Sequence, residues 1–209
     1  LDKRIAIERI IVGPLGSNCY LFANRENKKA VLIDVGDEAE LIKRKVKGLR
    51  LEAIFLTHGH IDHIGAVNFF DVPIFIHQDE LEFLNDQEKN MSSFLGSSFS
   101  LSKDKDIRTV HDGQIINICD FNLRIIHTPG HTPGSITIQF EDILFTGDAL
   151  FAGSIGRTDL PYGSTEDLIK AIKNKLLVLP PDTKVYPGHG EQTTIADEKN
   201  NNPFLSLQV

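Results

Sequence analysis

Residues 58–63 read His-Gly-His-Ile-Asp-His and follow directly on an apolar, strand-like run, AIFLT. Few loops carry three imidazoles and a carboxylate within six positions. Similar residues close three other strand-like runs: His131 after RIIHTPG, Asp148 after ILFTG and His189 after VYPG. Each has a glycine close by, which lets the backbone turn sharply and lets other groups approach. The residue types fit a metal. Neutral imidazole suits zinc, iron, manganese or nickel, and carboxylate compensates charge. A closed structural zinc site takes four ligands, often cysteines. Here there are seven N/O candidates and no cysteine among them: His58, His60, Asp62, His63, His131, Asp148 and His189. Seven are too many for one tetrahedral ion. They suit two ions with a bridging carboxylate and room for water.

The other histidines carry weaker signals. His77 ends a strand and reads as structural, and His111 lies in a polar turn, VHDGQ. His127 precedes His131 by four residues and is a candidate to orient it, since ligating groups are commonly held by neighbours.

The elements that position these residues are short. RIAIERIIVG, CYLFAN and AVLIDVG are β-branched or aromatic runs separated by turn residues, and DEAELIKRKVKGL has helical spacing with an acidic start. EAIFLT and VPIFIH are further strands, with a short helix beginning near His63 between them. QDELEFLND reads as another short helix. Residues 86–106 have no period, and their Phe94, Leu95 and Phe99 either pin the loop to the core or line a site. Strands IRTV, QIINI, FNLRIIHT, SITIQF and DILFTGD follow. STEDLIKAIKNKLLVL is an amphipathic helix with a Ser164 cap, TKVYPGHG is a last strand, and TTIADEKNNNPFL is a closing helix and tail. The order hints at two βα halves packed together.

With 209 residues, 41% hydrophobic, the chain fits one domain, residues 1–209, with a sizeable core. A net charge of −7 argues against nucleic acid as partner. The cluster Lys43, Arg44, Lys45, Lys47, Arg50 reads as the solvated face of a helix. Cys19 and Cys119 lie in apolar runs and read as buried thiols. The opening run is broken by Glu8 and Arg9, unlike a signal peptide, and no stretch approaches the length of a membrane span. The cytoplasm is the expected address, with no membrane partner.

THGHIDHIG, HTPGHTPGS, FTGD and PGHG together resemble the metallo-β-lactamase superfamily over nearly the whole chain. The resemblance implies an α/β, four-layer αββα sandwich with metals at one edge. It implies that His58, His60 and His131 hold one ion, that Asp62, His63 and His189 hold a second, and that Asp148 bridges. Asp34, in VLIDVG, matches the family's early aspartate, which holds the metal-bearing loops from behind. True β-lactamases of this fold usually lack an aspartate at the bridging position, flavodiiron proteins have glutamate in place of His60, and the long nucleases carry an extra domain. GSIGRTDLPYGS and GHGEQTTIADEKNNNPFL are most similar to short bacterial glyoxalase II-like hydrolases, without the C-terminal helical domain that helps full-length glyoxalase II hold glutathione.

That resemblance implies two divalent ions, zinc first with iron or manganese accepted, and a small-molecule thioester such as an S-2-hydroxyacylglutathione. Asp148 and Asp62 are the expected catalytic carboxylates. Arg157 is a candidate for the substrate's anionic end, or else the partner of Asp159, and Tyr162 is a second substrate candidate from the same loop. The alternatives are a persulfide dioxygenase with a single iron, a lactonase or phosphodiesterase of the same fold, and a non-catalytic metal-stabilised protein.

Overall fold

A computed structural model describes residues 3–206. One sheet contains β1 (Ile5–Val12), β2 (Ser17–Asn24), β3 (Lys29–Ile33), β4 (Arg50–Phe55), β5 (Ile74–His77) and β6 (Ile107–Val110), in that spatial order. β1, β2 and β3 pair antiparallel, and from β3 to β6 the pairing is parallel. The second half supplies β7 (Ile115–Ile118), β8 (Phe121–His127), β9 (Ile136–Phe140) and β10 (Ile143–Gly147). A two-stranded ribbon, β11 (Leu150–Phe151) and β12 (Ser154–Ile155), stands apart. β13 (Lys184–Pro187) and β14 (Thr193–Thr194) complete the second sheet, ordered β14-β13-β10-β9-β8-β7.

Side-chain parity explains the layers. In β3, Val31 and Ile33 point toward the opposing sheet, and Ala30 and Leu32 point to the helical side. β2 is buried at all eight positions because both of its faces are covered. Between the sheets, Phe22 packs against Phe121 at 4.7 Å and against Phe140 at 5.3 Å between ring centroids. Truncating such a ring to alanine costs about 3–5 kcal/mol. Outside the first sheet lie α1 (Ala39–Lys45) and the single turn α2 (Ile61–Ile64). Outside the second sheet lie α3 (Thr165–Ala171), α4 (Ile195–Asn201) and α5 (Pro203–Ser206). The order helix, sheet, sheet, helix is the expected sandwich.

Three local expectations change. QDELEFLND forms only a 3₁₀ turn, Gln78–Glu80, before dissolving into turns. Its Glu80 is drawn inward and fully buried, which a regular solvent-facing helix would not allow. The long helix expected from Ser164 onward is α for seven residues and then winds through a π turn, Ile172–Leu176. Residues 86–106 divide between the two options: Phe99 and Leu101 are buried in the first helical layer, whereas Phe94 and Leu95 remain exposed. Cys19 and Cys119 are free and buried. Among the described residues no helix is long and apolar enough to cross a membrane.

Candidate metal centre

The seven residues meet at one edge of the sandwich. β4 runs into Thr57-His58-Gly59-His60, α2 carries Asp62 and His63, and the segment after β8 carries His131. β10 and β13 pair in parallel and deliver Asp148 and His189 just past their ends. The two halves join there: the Asn18 amide donates to Gly188 O at 2.7 Å, and Asn18 Nδ2 donates to Pro187 O at 2.9 Å.

His58, His60 and His131 form one potential ion-binding group, and Asp62, His63 and His189 form another. His58, His63 and Asp148 form a third group between them. His60 Nδ1 lies 2.9 Å from His131 Nε2, and His189 Nε2 lies 3.2 Å from Asp62 Oδ2 and 3.4 Å from His63 Nε2. Two ligands of one tetrahedral ion stand about 3.4 Å apart, given bonds of about 2.1 Å. Asp148 spans the groups, with Oδ1 3.3 Å from His63 Nε2 and Oδ2 3.6 Å from both His131 Nε2 and His189 Nε2. Two buried atoms in the middle, His58 Nε2 and Asp148 Oδ1, have no hydrogen-bond partner. Buried polar atoms are rarely left so, and an ion is the partner that this donor set fits. Glycine at 188 is obligatory here, because a Cβ would lie 2.2 Å from Asp148 Oδ1.

Hydrogen bonds behind the centre set which nitrogen each ring turns inward. Asp34 Oδ2 lies 2.8 Å from His63 Nδ1 and also accepts from Thr57 Oγ1 at 2.7 Å. With its own proton committed to Asp34, the Thr57 hydroxyl accepts from His58 Nδ1 at 3.1 Å. One carboxylate thereby aims Nε2 of both His58 and His63 at the centre. The Arg157 carbonyl accepts from His131 Nδ1 at 2.8 Å with the same effect. Ser17 Oγ donates to Asp62 Oδ2 at 2.8 Å.

Glu80 ties the two loops together. Its Oε2 accepts from the Gly59 amide and its Oε1 from the Gly134 amide, each at 2.7 Å. Burial pushes its carboxyl pKa up, and hydrogen bonds from Thr132, Gly134 and Gly59 partly hold it back. The approach is close enough that a Cβ on Gly134 would lie 2.7 Å from Glu80 Cγ.

Charge divides the centre. Burial, then the neighbouring imidazoles, push the pKa of His58 well down and keep the ring neutral. His60 is lowered likewise by burial and by His131. Burial also works against a charged His63, yet Asp62, Asp148 and Asp34 overcome it and raise its pKa to about 10. Burial opposes the charge on Asp62, but His63 and hydrogen bonds with His189 and Ser17 lower its pKa. The carboxylates thus demand positive charge. They draw a proton onto His63, and a divalent ion answers the same demand while displacing it.

Two expected residues, His127 and Tyr162, lie elsewhere than anticipated, and Arg157 meets both of its expectations in part. His127 touches none of the seven. Its Nε2 donates to Pro133 O at 2.8 Å, and its ring stacks on His77 at 4.3 Å and 7°. Tyr162 does not line the cleft over the centre. It packs edge-on to Phe83, with Lys89 Nζ 5.1 Å from its ring centroid. Arg157 does reach the cleft, but its guanidinium makes two 2.8 Å bonds to Asp159. Reading the sequence missed Thr57, Ser17 and Glu80. Nothing in QDELEF or GSNCY distinguishes Glu80 or Ser17 from ordinary polar positions, and Thr57 reads only as the end of its strand-like run.

The family model described as Metallo-beta-lactamase superfamily matches residues 12–189. The chain belongs to that superfamily. A relative named hydroxyacylglutathione hydrolase GloC, from Haemophilus influenzae, is 40% identical over 96% of this chain and 98% of its own length. The crystal structure of the BLEG-1 B3 metallo-beta-lactamase is 40% identical, with a TM-score of 0.91 over 97% of this chain and all of that one. The structure of TTHA1623 in a di-iron-bound form is 36% identical, with a TM-score of 0.82 over 95% of this chain and all of that one. The two mixed sheets flanked by helices are the metallo-beta-lactamase fold. The chain is a metal-dependent hydrolase of that superfamily, and its histidine-rich sites are of the binuclear kind.

Proposed function

We propose that the protein hydrolyses thioesters, S-2-hydroxyacylglutathione among them, at two divalent ions. His58, His60 and His131 would hold one ion, Asp62, His63 and His189 the other, with Asp148 shared. The observation that carries the reading is the pair of orphaned atoms, His58 Nε2 and Asp148 Oδ1, at the meeting point of all seven side chains beneath an open cleft. Two divalent ions so held would supply a hydroxide nucleophile at neutral pH and would polarise a carbonyl.

The chain's own residues do the rest. Asp34, through Thr57, keeps His58 and His63 in the tautomers that offer Nε2. Ser17 fixes Asp62, and Asp148 sets the spacing between the two groups. In the overall step, water oxygen bonds to the carbonyl carbon, the C–S bond breaks, and the thiolate takes up a proton. Among the described residues no lysine, serine or cysteine lines the cleft. None is needed, because a thiol of pKa about 8.5 leaves without a strong general acid.

The test is metal content together with S-D-lactoylglutathione hydrolysis, a β-lactam assay, and O₂ uptake on glutathione persulfide. Two ions with thioester cleavage are expected. One iron with stoichiometric O₂ uptake, or a β-lactam cleaved faster than any thioester, would overturn the proposal.

A further inference from the structure

The cleft above the centre has a volume of about 640 Å³. Apart from the metal-centre residues its walls are almost wholly apolar. Leu15, Ile61 and Leu95 also border an adjoining hollow of about 190 Å³, so they stand together as one wall that continues past the centre. Phe94 and Met91 extend that lining from the 86–106 segment. Three of these side chains are held open to water: Leu15 is 52% exposed, Phe94 71% and Leu95 49%. Single exposed apolar residues are ordinary, but three lining one cleft mark a surface that waits for an apolar partner.

Away from the metal-centre residues the cleft walls also carry little charge. Among the described residues Arg157 is the one cation of the cleft outside the histidines, and one edge of its guanidinium, Nε and Nη2, donates to Asp159. The arginine in turn lowers the Asp159 pKa to about 2. The polar thiols that carry acyl groups, such as glutathione, are anionic, and on these walls the one guanidinium within reach is already paired with Asp159. The part of a thioester that matches these walls is its acyl arm.

We infer that the cleft selects thioesters by an apolar acyl chain laid along Leu15, Ile61, Phe94 and Leu95, while a polar thiol arm stays toward solvent. The inference rests on the thioester reading and names the substrate class within it. Each methylene buried on such a wall is worth a few-fold in kcat/KM.

The experiment uses N-acetylcysteamine thioesters, whose thiol is small and uncharged, with acetyl, propanoyl, butanoyl, hexanoyl and octanoyl arms on the metal-loaded protein. The expected result is a kcat/KM that rises about two- to fourfold per methylene to hexanoyl, with D-lactoyl no better than propanoyl. Phe94→Ala combined with Leu95→Ala should at least halve the slope of log(kcat/KM) against chain length. Both side chains are solvent-exposed, so the thermal midpoint should hold. Ile115→Ala, an exposed apolar position on β7, should leave the slope unchanged. A flat or falling series with measurable turnover overturns the inference and spares the thioester reading. So does a D-lactoyl arm preferred tenfold over propanoyl. Turnover of none of these, with S-D-lactoylglutathione also untouched, removes the thioester reading and the inference with it.

Discussion

Two pairs of histidine rings in this molecule lie at the same centroid distance. His58 and His63 are 4.3 Å apart with planes inclined by 48°; His77 and His127 are 4.3 Å apart with planes at 7°. Both pairs are joined by aspartates, and both groups are compact enough to be candidate ion sites. The difference is direction. A nitrogen lone pair lies in the plane of its ring, so stacked rings aim their lone pairs side by side, and inclined rings can aim theirs at one point. The outer nitrogens explain the two postures. His58 and His63 are turned by Asp34 and Thr57 from behind, leaving Nε2 inward. His77 Nδ1 instead accepts from the Asp79 amide, and His127 Nε2 is spent on Pro133 O. Ligand-type residues in proximity do not make a centre; the atoms that orient them do.

That contrast breaks if the converging group can lose members at little cost. Asp148→Ala should lower kcat/KM for the best thioester about a thousandfold, because several kcal/mol of charge stabilisation depend on the shared carboxylate. Turnover near the wild-type level with both ions retained would refute its role. Asp34→Asn should weaken binding of the more loosely held ion about 10–100-fold in a chelator competition, since His63 and His58 lose their common anchor. Unchanged affinity would mean that the ring postures are fixed by packing alone.

Proton release sharpens the same point. Asp62, Asp148 and Asp34 hold a proton on His63 up to a pKa of about 10, and an ion must displace it. Apparent affinity should therefore rise with pH, by about tenfold per unit for each proton released, and fall as pH drops. A pH-independent affinity between pH 6 and 8 would contradict the charge distribution. Glu80→Gln replaces an oxygen by an NH₂ facing the amide of Gly59 or Gly134, a cost of about 1–3 kcal/mol. The expected result is a lower thermal midpoint and looser binding at the His58, His60, His131 group, read from cobalt absorption. The smallest effect should come from His127→Ala, with metal stoichiometry unchanged. A lost ion there would show that the stacked pair belongs to the centre after all.

The sequence made the converging residues legible because each stands at the end of an apolar run beside a glycine, a local pattern visible in one dimension. The same logic exposed the capped start of α3 at Ser164, whose Oγ accepts from the Asp167 amide. What supports the centre was hidden for a physical reason. Glu80 reaches Gly134 across 54 positions, and Ser17 reaches Asp62 across 45, so neither leaves a local trace. His127 misled for the converse reason. Four residues of separation place side chains on one face in a helix, but β8 ends at His127 and the chain turns before His131. Residues 86–106 lacked any period because alternate tasks, anchoring through Phe99 and display through Phe94, fall to neighbours in a loop.

The seam between Asn18 and Pro187 has a kinetic meaning. Those partners are 169 positions apart, and the Ser17–His189 bridge beside them brings together a side chain that fixes Asp62 and one of the seven convergent histidines. A ribosome must therefore have synthesised nearly the whole described chain before the last donor can swing into place. Closing so long a loop is slow, and contacts of this range are among the last to form. During synthesis the emerging first half exposes His58, His60 and His63 without their counterparts, so neither ligand group is yet complete. Metal acquisition should accordingly follow folding in time, and the centre serves as a marker of a finished polypeptide.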